Sequence, residues 1–235
     1  MCPPLHPITA TSEPQPQENN PILALIPPDP LTQGAYQLAK SLLPPSILHH
    51  SIRVSLFAAR LAQRENSPWA TDPSKPPLLA VACLLHDIGC ATQFDGPQRF
   101  EVEGADAAAN YLRQHQHQEQ HPVTESDIHE VWTAIALHSS PGIAERISDC
   151  ARLVRQAVLV DFGKVVGEEE SGDDALFKRG VEGEFPRLAV EKDLGDVVVE
   201  QALRRPGKAP AASWPGVLVR AKKEFPEWEG VNKGF

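Results

Sequence analysis

Apolar residues recur every three or four positions over most of the chain beyond residue 30. In "SILHHSIRVSLFAARLAQRE", residues 46–65, this spacing places apolar side chains on one face of a helix. The two-residue alternation that is typical of half-buried strands is nearly absent. The pattern therefore predicts an all-α fold. Eight helices are predicted, over residues 31–42, 46–65, 76–88, 98–114, 125–138, 149–165, 190–204 and 213–225.

Proline and glycine mark the ends of several predicted helices. The segment "LPPS" precedes the second helix, "DIGC" closes the third, and "SSPG" follows the fifth. Two polar stretches separate later helices. Residues 113–122 alternate histidine with glutamine and are interpreted as a solvated linker, and the acidic residues 167–174 as an exposed loop.

The first 28 residues differ in composition from the rest of the chain. They are rich in Pro, Gln, Glu, Asn and Thr and show little periodicity. Such a segment buries too little apolar surface to offset the entropy of ordering. We expect residues 1–28 to be a disordered tail and residues 29–235 to form a single helical domain.

Length and charge narrow the functional classes. A chain of 235 residues with 41% hydrophobic residues can bury one sizeable core. Its 22 basic and 31 acidic side chains give a formal net charge of -9, which argues against a nucleic acid or an anionic membrane as the main partner. Apolar runs are shorter than the roughly 20 residues that span a bilayer, and the N-terminus lacks the pattern of a secretory signal. We expect a soluble, cytoplasmic protein with a small-molecule substrate, and a homo-oligomer is left open.

The cysteines indicate a core role rather than a disulfide framework. Cys2, Cys83, Cys90 and Cys150 include no CxxC pair. Cys83 and Cys90 are seven positions apart, so in a continuous helix their Cα atoms would be about 10 Å apart along the axis, too far for a disulfide. Because free cysteine is among the most buried residue types, these residues are predicted to be small core side chains.

Some polar residues occupy positions on the apolar helix faces. Steps of three or four residues from Ile47 lead to His50, which therefore shares a face with apolar neighbours. A single histidine there is more often a hydrogen-bonded core residue than a ligand. Asp161 is more informative, because a buried ionised carboxylate must be paired, hydrogen-bonded, protonated or bound to a cation.

The dipeptide His86–Asp87 stands at the end of the third apolar helix, before Gly89. Together with His50 and Asp161, this dipeptide gives four polar side chains from three predicted helices, each at a position where an apolar side chain is expected. Neutral imidazole and carboxylate are good ligands for divalent metals, and such an ion lowers the pKa of water toward neutrality. The sequence thus predicts a metal centre between helices. We expect Zn²⁺, with Fe²⁺ or Mn²⁺ as alternatives.

This order of motifs resembles the HD-domain metallohydrolase superfamily, in which a histidine, an HD dipeptide and an aspartate follow one another on successive helices. Here the motifs are "HHSIRV", "LLHDIG" and "VLVD". Over most of the chain after residue 30, the sequence also resembles the cyanamide hydratase branch, through "CLLHDIG", "RFEVEGADAA", "AIALHSSPGIAE", "AVLVDFG" and "EFPRL". It departs from that branch at "CATQFD", where a Thr-rich continuation is common, so the floor of the pocket is expected to differ.

The resemblance implies an HD-type helical bundle with one zinc ion, and a hydro-lyase that hydrates the nitrile carbon of cyanamide to give urea. It implies that Glu101 in "RFEVEG" and His138 in "ALHSS" lie over the open face of the metal, where they orient substrate or move protons. On the residues alone, both can also be side chains that a helix dipole stabilises. The zinc ligands implied are His50, His86, Asp87 and Asp161.

Two further residues are candidates for substrate contact. Arg53 lies one turn after His50, although a surface position is the alternative. Asp95 precedes a Gly-Pro pair, which is typical of a turn. Ser139 and Ser140 lack the strand–turn–helix context of a serine nucleophile, so serine hydrolysis is not expected.

Two other functions fit the motifs. An HD-type phosphohydrolase acting on a nucleotide or other phosphoester would need several cations to hold phosphate, and only Arg53 and Arg99 lie near the motifs. A non-catalytic HD module that binds a ligand or partner belongs to a different class. Metal content together with turnover of a generic phosphoester separates these possibilities.

Overall fold

The chain forms α-helices joined by short connections, as its apolar periodicity predicts. In a computed structural model, residues 26–116, 122–164 and 172–228 are described. These residues form eleven α-helices and no β-strand, which confirms the all-α class. The helices are α1 (Pro30–Leu42), α2 (Pro45–Arg64), α3 (Pro68–Thr71), α4 (Lys75–Leu85), α5 (Phe100–Gln114), α6 (Glu125–Leu137), α7 (Ala144–Ile147), α8 (Asp149–Asp161), α9 (Gly172–Glu184), α10 (Val190–Arg204) and α11 (Trp214–Glu224).

All eight predicted helices are present, and the two largest differences concern where helices end. Helix α4 ends at Leu85, before the predicted residue 88, and a 3₁₀ turn follows over Ile88–Cys90. Helix α8 ends at Asp161, before the predicted residue 165. Gly163 has a φ of 74°, a left-handed conformation that terminates helices and that glycine adopts without steric strain.

Helix α9 was not predicted, and it corrects the interpretation of residues 167–174 as a loop. Residues 172–174 form its first turn, whereas residues 167–171 lie outside the described residues. The acidic side chains of that turn suit the positive end of a helix dipole. Asp174 also forms ion pairs with Arg60 and Arg64 of α2, so contacts with another helix favour α9.

Side-chain caps set the starts of helices α6 and α8. Thr124 and Asp127 exchange hydrogen bonds in a capping box at α6. The Ser148 hydroxyl accepts from the backbone N–H of Ala151 at α8. Such caps contribute about 1 kcal/mol each. They therefore fix the residues at which α6 and α8 begin.

Helix α2 occupies the middle of the bundle and packs against α4, α8 and α10. Helix α6 packs against α4, α5 and α8. The interior consists mainly of aliphatic and alanine side chains, among them Ile47, Val54, Ala58, Val81, Leu84, Leu153 and Val154. The C-terminal ends of α4, α6 and α8 approach the first half of α2, where the predicted metal ligands lie.

Helix α5 packs directly on the turn that follows the HD dipeptide. A Cβ atom on Gly89 would lie 2.0 Å from the carbonyl oxygen of Phe100 and 2.8 Å from the backbone nitrogen of Gly104. Only glycine allows this close approach. The amide of Gln201 on α10 holds the same turn by donating to the carbonyl oxygen of Gly89.

Three remaining predictions concern the core, the tail and the membrane. Cys83, Cys90 and Cys150 are buried free thiols, as expected of core residues, and Cys2 lies outside the described residues. The predicted tail, residues 1–28, falls mostly on residues 1–25, which are also outside them. Of the described helices, none combines the length and the apolar character that crossing a bilayer requires.

Candidate metal centre

Three of the predicted ligands meet in the interior. The potential ligand atoms of His50, His86 and Asp87 all lie within 4.8 Å of one another. His86 Nε2 is 3.2 Å from His50 Nε2 and 3.2 Å from Asp87 Oδ2, and none of the three residues is more than 1% exposed. Atoms bound about 2.0–2.2 Å from one ion would be similarly spaced.

The end of helix α4 explains how two adjacent residues converge. On a continuous helix, neighbouring side chains diverge by about 100°. Helix α4 ends at Leu85, and Asp87 has φ -104° and ψ 9°, which are not helical values. This change of backbone direction lets His86 and Asp87 both face His50.

Three imidazole rings are held in the same tautomer. Nδ1 of His50 lies 2.7 Å from an oxygen of Asp161, Nδ1 of His86 lies 2.7 Å from the Cys83 carbonyl, and Nδ1 of His138 lies 2.7 Å from the Ile135 carbonyl. Each oxygen is an acceptor, so each Nδ1 carries a proton and donates it. In the neutral rings the lone pair is therefore on Nε2. The contact between Nε2 of His50 and Nε2 of His86 is favourable when a proton or a metal ion lies between them.

The carboxylate of Asp87 is buried among the rings of three histidines, His50, His86 and His138. Within the described part of the chain, neither of its oxygens has a hydrogen-bond partner. Burial opposes its ionisation, but the neighbouring rings, His86 first, outweigh burial and lower its pKa. Burial also lowers the pKa of His86, yet Asp87 outweighs it and the net shift is upward. A carboxylate surrounded by imidazole nitrogens fits a divalent cation.

Asp161 approaches His50 from the opposite side of the ring. It accepts from Nδ1 of His50, whereas Nε2 of that ring faces His86 and Asp87. Its carboxylate also pairs with the guanidinium of Arg53, with Nε 2.6 Å from Oδ1 and Nη2 2.9 Å from Oδ2. Burial opposes ionisation here too, but His50 and Arg53 lower the pKa of Asp161. Direct binding of a metal by Asp161 stays a prediction.

Glu101 and His138 lie near the group. Glu101, in the first turn of α5, is fully buried, and burial raises its pKa. Its Oε1 accepts a hydrogen bond from the hydroxyl of Ser139, the residue after His138. Burial lowers the pKa of His138 to about 3, and its Nε2 lies 3.6 Å from Oδ1 of Asp87. Their helix-terminal positions are as predicted, and their catalytic role stays a prediction.

The structure places both candidates for substrate contact in ion pairs. Arg53 is fully buried and binds Asp161. Asp95 lies 3.0 Å from Arg204, 2.9 Å from Arg205 and 3.0 Å from Lys208. Asp95 thereby holds the loop before α5 to the end of α10 and to the chain that follows it. Substrate binding by Arg53 or Asp95 stays a prediction.

Sequence reasoning did not identify two neighbours of the site. Ser139, dismissed as a nucleophile, donates to Glu101. Arg187 donates to the backbone carbonyl of Asp161, and its Nη1 lies 3.6 Å from Oδ1 of Asp161. Ser139 could have been noted because it adjoins His138. Arg187 lies in "EFPRL", one of the segments that carry the family resemblance, but no role was predicted for it, since its contact joins residues 26 positions apart.

Comparison with known families agrees with the geometry. Residues 47–157, a little under half of the chain, match the family model of the HD domain. The matched segment contains His50, His86 and Asp87, and Asp161 lies just beyond its end. No curated protein matches the chain. The motif order, the helical architecture and the buried His-His-Asp group thus agree with the match of residues 47–157 to the HD domain.

Proposed function

We propose that this protein hydrates a small nitrile in a metal-dependent reaction, with cyanamide as the leading substrate and urea as the product. The observation that carries the proposal is one compact His-His-Asp group, buried, beside a neutral imidazole and a buried carboxyl group. The resemblance to cyanamide hydratases in "RFEVEG" and "ALHSS" supports the choice of substrate.

The proposed ligands are Nε2 of His50, Nε2 of His86 and the carboxylate of Asp87. Nitrogen and oxygen donors of this kind suit zinc, and also iron or manganese. A bound divalent ion acts as a Lewis acid that lowers the pKa of water. The three residues would fix its position, because two of them are already oriented by hydrogen bonds from Nδ1 to Asp161 and to Cys83.

Hydration requires one proton to leave water and one to reach the nitrile nitrogen. The water oxygen forms a bond to the nitrile carbon, and the resulting isourea tautomerises to urea. His138 is placed to accept a hydrogen bond from water, because its lone pair lies on Nε2, which faces Asp87, and its pKa of about 3 suits it to pass a proton on rather than to hold it. Glu101 is suited to donate the other proton, because burial raises its pKa and keeps a larger fraction of it protonated.

Burial of the site supports a substrate with few atoms. His50, His86, Asp87, Glu101 and His138 are each at most 3% exposed. Surroundings of this kind exclude most water and strengthen electrostatic interactions with the reacting atoms. Cyanamide has three non-hydrogen atoms, so it occupies only a small volume.

The engagement of nearby cations argues against a phosphohydrolase. A phosphate group is usually held by several Lys or Arg side chains. Arg53 is committed to Asp161, and Arg99 donates to the Ala136 carbonyl and lies 3.6 Å from Glu101. Both arginines that the sequence offered near the motifs therefore already contact acceptors within the protein.

Urea formation from cyanamide by the zinc-loaded protein tests the proposal directly. We expect turnover in the wild type and a reduction of about 10²- to 10⁴-fold in His138→Ala, with zinc retained, because general acid–base groups contribute that much. His129→Ala is the matched control, since His129 lies exposed on α6, the helix that His138 follows. If the protein forms no urea but rapidly hydrolyses a nucleotide monophosphate, the result favours the phosphohydrolase. If it catalyses neither reaction, the result favours the non-catalytic module.

A further inference from the structure

The side chains of the proposed site are buried, so part of the protein must move before a substrate can reach them. His86, Asp87, Glu101 and His138 are each at most 3% exposed. The helices that carry them pack through aliphatic side chains, and separating these helices would expose the core. The path is therefore expected to open in a segment between helices.

Residues 91–99 form a surface segment that borders the site at both ends. The segment begins after Cys90, in the turn that follows the HD dipeptide. It ends at Arg99, whose Nε lies 3.6 Å from an oxygen of Glu101. It contains one short 3₁₀ turn, Thr92–Phe94, and four of its nine residues are exposed. Displacing this segment would uncover the site without separating two core helices.

A cluster of charges holds the middle of this segment to the end of α10 and the turn after it. The carboxylate of Asp95 lies 3.0 Å from Arg204, 2.9 Å from Arg205 and 3.0 Å from Lys208, and the Lys208 ammonium also donates to the Gly96 carbonyl. We call Asp95 and these three cations the latch. Three cations around one carboxylate repel one another, so the latch depends on the charge of Asp95.

Two other connections beside the site are held by buried arginines instead. Arg53 is fully buried and donates to the carbonyl of Pro186, before α10. Arg155 is 4% exposed and donates to the carbonyl of His138, after α6. In the latch, by contrast, the side chains of the two arginines are at least 50% exposed. Exposed ion pairs are weaker and are screened by salt, so the latch is the attachment that opens most easily.

We propose that residues 91–99 form a gate to the metal centre and that the latch holds the gate closed through the charge of Asp95. That a small nitrile is what passes the gate rests on the proposed function. Asp95 is a positioning residue in this arrangement. Its three partners lie beyond residues 47–157, so the part of the chain outside the HD-domain match controls access to the site.

Cys90 provides a reporter of gate opening. Its thiol is 7% exposed. Burial raises the pKa of this thiol, Glu101 raises it further and Lys208 lowers it, so the thiol lies within electrostatic reach of both the site and the latch. Cys83 and Cys150 have no exposed surface and belong to the core helices α4 and α8. A buried thiol reacts with N-ethylmaleimide when a local or global opening exposes it, so the three rates distinguish the two.

Asp95→Asn tests the latch directly, with labelling of each cysteine followed by peptide mass spectrometry. Cys90 should react about 10-fold faster or more, because loss of one partner leaves the buried Lys208 charge uncompensated. Cys83 and Cys150 should react as in the wild type. Asp196→Asn is the matched control, since the ion pair of Asp196 lies within α10. An unchanged Cys90 rate would overturn the inference, and so would an equal acceleration of all three thiols, which indicates global unfolding.

A second variant and salt test the electrostatic origin of the effect. Lys208→Met removes the charge and keeps an apolar stem of similar length, and it should also accelerate the labelling of Cys90. In the wild type, raising the salt concentration from about 0.1 M to 1 M shortens the screening length from about 10 Å to 3 Å and should accelerate this labelling. Asp95→Asn should respond much less. A wild-type rate that does not depend on salt would contradict a latch built from charges.

Hydrogen exchange locates the segment that opens. In Asp95→Asn, faster exchange should be confined to residues 91–99 and the turn before them. Faster exchange in residues 139–143 or 185–189 instead would place the opening elsewhere and overturn the inference. None of these readouts depends on turnover, so an absence of urea would affect the proposed reaction and leave the gate in place.

Discussion

At the scale of single residues, the site is built around one carboxylate that the protein does not satisfy by itself. Asp87 is buried and lacks a hydrogen-bond donor among the described residues. Buried carboxylates are normally paired or hydrogen-bonded, as Asp161 is with Arg53. The difference between the two aspartates is informative, because Asp161 faces a permanently charged guanidinium whereas Asp87 faces only histidine rings, which are cationic only when protonated.

Asp87→Asn should therefore keep the helical fold and lose the metal. With free zinc at about 100 times its dissociation constant, binding stabilises a protein by about 2.7 kcal/mol. For a chain of this size, that corresponds to a rise in melting temperature of about 5–10 °C. Zinc should raise the melting temperature of the wild type and of the control Asp106→Asn, which changes an exposed residue. An equal rise in Asp87→Asn, with full zinc content, would rule out the proposed site.

At the scale of the helices, the site depends on how α5 is placed against the turn after α4. Gly89 lets the backbone of α5 approach this turn closely. Glu101 lies in the first turn of α5, one residue after Phe100, whose carbonyl is the nearest atom to the missing Cβ. The position of the buried carboxyl group is thus coupled to a glycine that has no chemical role.

Gly89→Ala should destabilise the protein and reduce turnover while zinc is retained. The added methyl group would lie 2.0 Å from the Phe100 carbonyl, so α5 must move and carry Glu101 with it. Overpacking of this kind costs about 1–3 kcal/mol. Gly183→Ala is the control, because nothing lies within 4 Å of a Cβ at that helical position. Denaturation midpoints compare the stability of the two variants, and urea formation at equal zinc content compares their turnover. Equal stability of the two variants would contradict the prediction.

At the scale of the whole molecule, the two ends of the chain are expected to differ in importance. Residues 1–20 are mainly polar or proline and lack apolar periodicity. Near the other end, helix α11 contributes Trp214 and Leu218 to the core, and the Trp214 ring packs against Phe100 beside Glu101. Burial of large side chains is a main source of stability.

Deletion of residues 1–20 should leave the melting temperature, the zinc content and the turnover nearly unchanged, because this segment offers little apolar surface to bury. A chain truncated after residue 212, which lacks α11, is the contrasting variant and should lose stability. Thermal unfolding followed by circular dichroism compares them. A drop of more than a few degrees after the N-terminal deletion would show that the tail binds to the rest of the protein.

The sequence by itself determined the helical class, all of the longer described helices except α9, and the HD motif, because apolar periodicity and motif order are local properties. Only the tertiary structure decided how the polar groups meet. The pairing of Arg53 with Asp161 joins residues 108 positions apart, and the break after Leu85 turns two diverging side chains toward one point. Helix α9 depends in the same way on contacts with α2. Such contacts follow from the packing and rotation of whole helices, which periodicity along the chain does not specify.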